Sequence, residues 1–149
     1  MAEPDRTDFS DPQQRDAFGH WLSGFTDGEG SFNISRHKTQ QNWSLIFTCS
    51  FSIEIRTDDL CILQEIEHYF GCGKITFRHY QPGRKYQSNP TARFGCHRTI
   101  ELINHILPHF DNFPLRANKR RDYETFREAV LLLHQVASRR FVRLGFPRG

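Results

Sequence analysis

The chain has 149 residues, of which 37% are hydrophobic and 25% charged, so it has the length and composition of one globular domain with one core, rich in its 14 Phe. No apolar run reaches the length of a membrane span, and the start (Met1 to Asp5) lacks the apolar stretch of a secretory leader, so no membrane partner is expected. The net charge of +3 hides a polarity, with 6 Lys/Arg against 12 Asp/Glu over residues 1–74 and 14 against 5 over 75–149, which points the second half toward a polyanion.

Residues 1–10 are polar and read as a disordered N-terminal segment. A single domain over 11–137 follows, then a basic tail over 138–149 with Arg139, Arg140, Arg143 and Arg148. Helix 1 opens on consistent signals: Asp11 is a natural N-cap, Pro12 suits the first helical position and Gln14 can complete a capping box. At about 100° per residue, Phe18, Trp21, Leu22 and Phe25 share one face, read as core. The opposite face carries His20, Ser23, Gly24 and Asp27. It is too small and neutral for an ordinary solvated face, and small residues let another helix backbone come close. One copy of such a face in one domain points to a homodimer joined through those four residues. The helix then runs into Asp27-Gly28-Glu29-Gly30. Two acids two residues apart, bracketed by glycines, read as a pinned carboxylate facing a cation or its own symmetry mate.

After Gly30 the period becomes two, with Phe32 and Ile34 alternating with Ser31, Asn33, Ser35 and His37. A polar turn over 38–42 leads to a long strand. In it Trp43, Leu45, Phe47, Cys49, Phe51, Ile53 and Ile55 alternate with Ser44, Ile46, Thr48, Ser50, Ser52 and Glu54. Residues 57–70 form helix 2, capped by Thr57 or Asp58, with Leu60, Leu63, Ile66 and Phe70 inward and Gly71-Cys72-Gly73 ending it. A second hairpin, 74–80 and about 91–97, puts Ile75, Phe77 and Phe94 on one side and Thr76, Arg78, Tyr80 and Arg93 on the other. Helix 3 covers 99 to about 109, and a Pro-punctuated turn leads to helix 4 over about 115–137. The order α-β-β-α-β-β-α-α gives an α+β fold: a four-stranded antiparallel sheet with helices on one face and a bare, polar, partly basic second face.

Cys49, Cys61, Cys72 and Cys96 stand singly, with no Cys-x-x-Cys pair. They read as reduced, mostly buried thiols and not as a zinc site. The bare sheet face suits groove recognition, because β-ribbons fit the DNA major groove and Ser, Thr, Asn, His and Arg reach base edges and phosphates. The DNA-contacting residues expected on it are Asn33, Ser35, His37, Thr48, Ser50, Ser52, Thr76, Arg78, Tyr80 and Arg93. A strand of about 7 residues at ~3.3 Å each spans roughly 23 Å, about 6–7 base pairs, so two subunits would read a long, roughly palindromic site. Duplex RNA fits less well, because its major groove is deep and narrow.

The run Leu22-Ser23-Gly24-Phe25-Thr26-Asp27-Gly28-Glu29-Gly30 resembles the signature of the LAGLIDADG homing endonucleases of the single-motif, homodimeric type. Phe51-Ser52-Ile53, Leu63, Tyr69-Phe70-Gly71 and Gly73-Lys74-Ile75 resemble later family patterns, as do Phe113-Pro114-Leu115, Lys119 and Asp122-Tyr123. The family's αββαββα order also matches. The resemblance implies that the motif helices of two subunits pack together. It implies further that Glu29 binds a divalent metal beside the scissile phosphate, with the Gly28 carbonyl as second ligand. Hard oxygen ligands suit Mg²⁺, for which Mn²⁺ or Ca²⁺ can substitute. Asp27 would cap or position backbone at the interface, with a catalytic metal role as the alternative. Lys119 would be the catalytic cation, with Arg116 the runner-up. Two positions depart from some relatives, Ile55 where a Gln stands and Asp59 where an Arg stands, so the surrounding water network would come from others such as Glu54, Arg56 or Ser52.

The implied function is a metal-dependent, site-specific double-stranded DNA endonuclease of intron homing, hydrolysing phosphodiesters at a long pseudo-palindromic site. The alternatives are a splicing maturase that binds the host intron RNA, or a catalytically inactive DNA-binding regulator on the same fold. The expected location is intracellular, in a chloroplast, a mitochondrion or a bacterial cytoplasm.

Overall fold

The computed structural model describes residues 6–38, 40, 45–78, 83 and 89–143. Helix α1 (Pro12–Glu29) is followed by strands β1 (Gly30–Lys38) and β2 (Leu45–Arg56). A 3-10 turn (Thr57–Asp59) leads into α2 (Leu60–Phe70), then β3 (Lys74–Arg78) and β4 (Thr91–Cys96). The chain closes with α3 (Thr99–Glu101), a π-helical stretch (Leu102–Ile106), α4 (Leu107–Asn112) and α5 (Lys119–Arg143).

The four strands form one antiparallel sheet in the order β1-β2-β4-β3. The alternating pattern sets its two faces. Cys49, Phe51 and Ile53 of β2 and Ala92, Phe94 and Cys96 of β4 are buried on the helix side. There they meet Leu63, Ile66 and Phe70 of α2, Leu102 and Ile106 of the π-helical stretch, Phe110 of α4, and Phe126 and Val130 of α5. Phe51 is the hub, with ring contacts to Phe32, Phe70, Phe94 and Phe110. Each such ring, fully buried, contributes about 1.5–3 kcal/mol of transfer free energy. The α+β architecture read from the sequence is the one observed.

Helix α1 starts as expected, with Asp11 accepting the Gln13 N–H at 2.9 Å and Pro12 in the first turn. Gln14 does not close the expected box onto the Asp11 N–H: its Oε1 takes the Asp8 N–H at 3.0 Å, while its Nε2 donates to Asp11 at 3.2 Å. Residues 6–10 are not the disordered lead that their polarity suggests. Thr7 donates through N–H and hydroxyl to Glu65 at 3.2 and 3.1 Å, and Phe9 packs edge-on against Phe18 and Tyr69. One apolar ring among polar neighbours is enough to dock the segment. Residues 1–5 lie outside the described residues, as do Trp43, Ser44, Tyr80, most of the two hairpin loops, and 144–149.

The helical ends differ from expectation in three places, the first being helix 2: neither Thr57 nor Asp58 caps it, because both lie in the 3-10 turn and α2 begins at Leu60 without a side-chain cap. Helix 3 is not regular: it widens into a π-turn before Pro108, which has no N–H to donate and whose ring would crowd the carbonyl four residues earlier. The final helix starts later than expected and runs through 138–143, so half of the presumed tail is helix.

The larger correction is the rotation of α1. Its buried residues are Phe18, Gly19, Leu22, Ser23 and Thr26, whereas Trp21 is 42% exposed and lies flat on Phe25, with ring centroids 4.9 Å apart. Phe113 causes this turn of the helix. Its ring sits where a Cβ on Gly19 would be, 2.6 Å away, and its carbonyl accepts the Ser23 hydroxyl at 2.6 Å. Ser23 therefore faces into its own domain and does not supply a side chain to an intersubunit face.

The Ser23 hydroxyl, having donated to Phe113, can only accept from His109 Nε2 at 3.1 Å, which fixes His109 as the Nε2–H tautomer and leaves Nδ1 to accept the Tyr69 hydroxyl at 2.8 Å. The imidazole is 5% exposed, and burial first, then the charges of Arg15 and His20, pushes its pKa down to about 3. The unfolded chain binds this proton below about pH 6.5, and the folded chain does so only near pH 3. The unfolded state thus binds more protons between those limits, so this contribution is complete above pH 6.5 and is lost as pH falls toward 3. Thermal melts between pH 7 and pH 4 should show Tm falling with acid. His109→Gln should melt lower at pH 7, by about 1–3 kcal/mol for the broken buried network, and its Tm should fall less steeply with acid. A wild-type slope retained by the variant would remove His109 as its source.

Candidate active site and nucleic-acid face

The last turn of α1 brings together what the sequence separates by ninety residues. Asp27 accepts the backbone N–H groups of Arg116 at 2.9 Å and Ala117 at 3.3 Å, one on each carboxylate oxygen. That fastens the turn before α5 to the end of α1. Lys119 then reaches back, its Nζ donating at 3.1 Å to the Thr26 carbonyl, which also accepts the Gly30 N–H that caps the helix. An ammonium at a helix C-terminus meets the negative end of the macrodipole.

Glu29 is the final residue of α1 and is exposed, with no hydrogen bond or ion pair among the described residues. The Gly28 carbonyl, one of the last four of the helix, has no intrahelical donor. Neither flanking glycine has left-handed backbone, and of the two only Gly30 serves clearance within the subunit. Gly30 has φ −78°, and a Cβ there would collide with Cγ2 of Thr26 and lie 2.9 Å from its carbonyl. Gly24 and Gly28, one turn apart, have open space where a Cβ would project. With His20 and the half-exposed Trp21 they make the open face of α1.

Basic residues Lys119, Arg120 and Arg121 occupy the first turn of α5, where the helix dipole disfavours cations. Arg120 is partly offset by Glu124 at 3.5 Å, and the Arg116 side chain is exposed. A local rule broken in this way concentrates positive potential beside Glu29's helix end.

The outer sheet face is laid out by the register. Ser35 lies opposite Thr48, Asn33 opposite Ser50, Ser31 opposite Ser52, and Ser52 opposite Gly95, which faces Lys74. Arg93 lies between Glu54 and Thr76, and Thr91 between Arg56 and Arg78. His37, opposite the exposed Ile46, ends the series. Nine of the ten expected contact residues therefore share one face; Tyr80 lies outside the described residues. Ser35, His37, Thr48, Thr76 and Arg78 are exposed, and Asn33 and Ser50 are half-buried. Ser52 is buried because Arg93 lies over it, donating at 3.0 Å, and Glu54 holds Thr91 at 2.7 Å and Arg78 at 3.6 Å.

The four cysteines, expected to be mostly buried thiols and no metal site, divide differently: Cys49 and Cys96 are buried, Cys72 is half-buried, Cys61 is exposed, and two of them belong to a group of possible ligands. Among the described residues, Cys72, Cys96 and Glu101 have ligand atoms all within 4.8 Å of one another. Their hydrogen-bonded thiols split in acidity: the bond to Cys96 draws Cys72 down, and the same bond with burial pushes Cys96 up. Spacing along the chain gave no sign of it, because the pair is made by the β3–β4 register.

The LAGLIDADG endonuclease family profile matches residues 22–130. A probable intron-encoded endonuclease of Neurospora crassa is 29% identical over 115 residues, covering 77% of this chain and 22% of the relative. A Podospora anserina protein described as an uncharacterized 50.9 kDa protein in ND4 intron 1 is 35% identical, covering 76% and 24%. The chain thus spans about a quarter of the length of these relatives. The homing endonuclease I-ApeII of Aeropyrum pernix is 28% identical, covering 80% of this chain and 66% of its own. Among solved structures, I-SmaMI bound to an uncleaved DNA target in the presence of calcium ions superposes with a TM-score of 0.68 at 26% identity, covering 80% of this chain and 38% of that one. I-TnaI has the same fold, with a TM-score of 0.65 at 22% identity over 78% and 74%. The profile spans most of the chain and the folds superpose, so the chain belongs to the LAGLIDADG endonuclease family.

Proposed function

We propose that the chain is a site-specific, metal-dependent double-stranded DNA endonuclease. The observation that carries this reading is the unpartnered Glu29 carboxylate at the end of α1, beside a cationic turn that Asp27 and Lys119 fasten to the same helix. The DNA-bound state of I-SmaMI supports DNA as the substrate.

Glu29 and the Gly28 carbonyl are hard oxygen donors without competing partners among the described residues, and they fit Mg²⁺. Such an ion, when held there, lowers the pKa of a bound water and offsets the charge that builds on the phosphate. The chain does the rest. Glu29 supplies negative charge at the helix end, and the cluster of Arg116, Lys119, Arg120 and Arg121 draws the phosphodiester toward it. Asp27, which accepts a backbone N–H on each oxygen, acts as a positioning residue that fastens the turn to α1. The sheet face lies in the major groove, with Asn33, Ser35, His37, Thr48, Ser50, Thr76 and Arg78 presented to bases and phosphates.

The open face of α1 supports assembly with a second copy of the chain. Gly24 and Gly28 admit a helix backbone closely, and Trp21, set aside in the sequence reading as core, is the apolar residue such packing would cover. Two copies would set two Glu29 carboxylates side by side.

With DNA from the flanks of the gene's own intron, Mg²⁺ should give double-strand cleavage that EDTA abolishes. Glu29→Gln should lose cleavage by a factor of roughly 10² or more while retaining specific binding in a gel-shift assay. Undiminished cutting by that variant would remove Glu29 from the role. Gly24→Arg, placed where a Cβ meets open space within the subunit, should fold with little change in Tm but sediment as a monomer. A wild type that is monomeric with and without DNA would overturn the paired-helix reading.

A further inference from the structure

The ligand group away from α1 has the opposite chemistry to Glu29. Gly71 and Gly73, with φ of 68° and 87°, bracket Cys72 as the chain leaves α2. A Cβ on Gly73 would lie 2.6 Å from the Phe94 ring and 2.9 Å from the Gly95 carbonyl, so glycine is what lets this turn lie against β4. Because Lys74 pairs with Gly95, the turn delivers Cys72 to Cys96 at the strand's end. Glu101 of α3 completes the group: its Oε2 accepts the Cys96 thiol at 3.8 Å, and its Oε1 is held by Arg98 at 3.2 Å. Cys96 is buried and Cys72 half-buried, which leaves the group reachable from one side.

We propose that Cys72, Cys96 and Glu101 form a soft-metal site that takes Zn²⁺, separate from the hard-ion site at Glu29. Tetrahedral zinc has Zn–S near 2.3 Å and Zn–O near 2.0–2.2 Å, which places ligand atoms roughly 3.4–3.8 Å apart. Atoms already within 4.8 Å need only a small contraction to reach that geometry. On binding, each thiol loses its proton to solvent as its sulfur bonds the metal, one Glu101 oxygen supplies the third bond, and water fills the fourth position. No electron is transferred. Two thiolates and a carboxylate leave one negative charge on the centre, which Arg98 faces. Thiolates select zinc over Mg²⁺, which prefers oxygen ligands. The bound ion would tie the α2–β3 turn, the end of β4 and the start of α3 together, and so stabilise the folded chain by linkage.

Metal-stripped protein kept reduced, titrated with Co²⁺ as the spectroscopic probe for Zn²⁺, should develop a thiolate-to-cobalt charge-transfer band that Zn²⁺ bleaches and Mg²⁺ does not. Zn²⁺ should raise Tm by several degrees. Cys72→Ser should abolish both effects, and Glu101→Gln, which removes the carboxylate ligand, should weaken them at least tenfold. Cys61→Ser and Glu29→Gln should leave the band intact. No band in the reduced wild type, a band that survives Cys72→Ser, or a Cys72–Cys96 disulfide in protein handled without oxidant would overturn the site. Cleavage is not the readout, so failure here and failure of the endonuclease reading are distinguishable.

Discussion

The interaction on which the rest depends is the carboxylate of Asp27 on the turn before α5. It joins two stretches that share no sheet and lie 89 residues apart, Asp27 accepting from Arg116 and Ala117. Its energy is modest, because the bonds are exposed and the net worth of a charged hydrogen bond in protein is only about 1.5–3 kcal/mol even under cover. Its geometric consequence is larger. With the turn fixed, Lys119 meets the Thr26 carbonyl, and the basic first turn of α5 faces the helix end that carries Glu29. The two acids of one motif thereby stand in different surroundings: Asp27 is bonded to backbone, and Glu29 has no partner among the described residues.

Helix α1 satisfies two demands at once. One side buries enough to hold the helix in its own domain, and the other, at Gly24 and Gly28, is open, as the proposed pairing with a second helix would need. The sequence shows both the apolar and the small-residue stripes, but not which residue marks the boundary. Hydrophobicity assigns Trp21 inward and Ser23 outward. The structure reverses both, because Phe113 fills the space over Gly19 and the Ser23 hydroxyl finds partners in Phe113 and His109. A serine with two buried partners costs little to bury, whereas a large indole can lie on the surface when stacked on Phe25. Neither partner of Ser23 is near it in the chain, so no local pattern could reveal the exchange.

What was legible follows the same logic. Period-two alternation fixed both sheet faces, and the polar row from Ser35 through Arg93 emerged intact, because a one-residue slip would turn every core side chain outward. The Asp11 cap and the glycine exit of α2 were local signals, and both formed where expected. The His109 network, the Asp27 clasp and the Cys72–Cys96 approach were not legible. Each depends on pairing between distant elements, and a cysteine that stands alone in sequence acquires its partner only through strand register.

The two departures from the family pattern gain meaning from the contacts around them. Ile55 is half-buried against the core and Asp59 is exposed in the 3-10 turn, so neither supplies a polar group to the end of α1. The three neighbours that could replace them are already engaged. Ser52 accepts from Arg93, Glu54 holds Thr91 and Arg78, and Arg56 pairs with Asp58 at 2.7 Å. These contacts stiffen the sheet face that would lie on DNA, at the expense of free polar groups near Glu29. On the proposed function, orienting solvent there would fall to Glu29 and the cationic turn. Rate should then depend more steeply on Lys119 than on any side chain of β2, and binding should depend on the reverse.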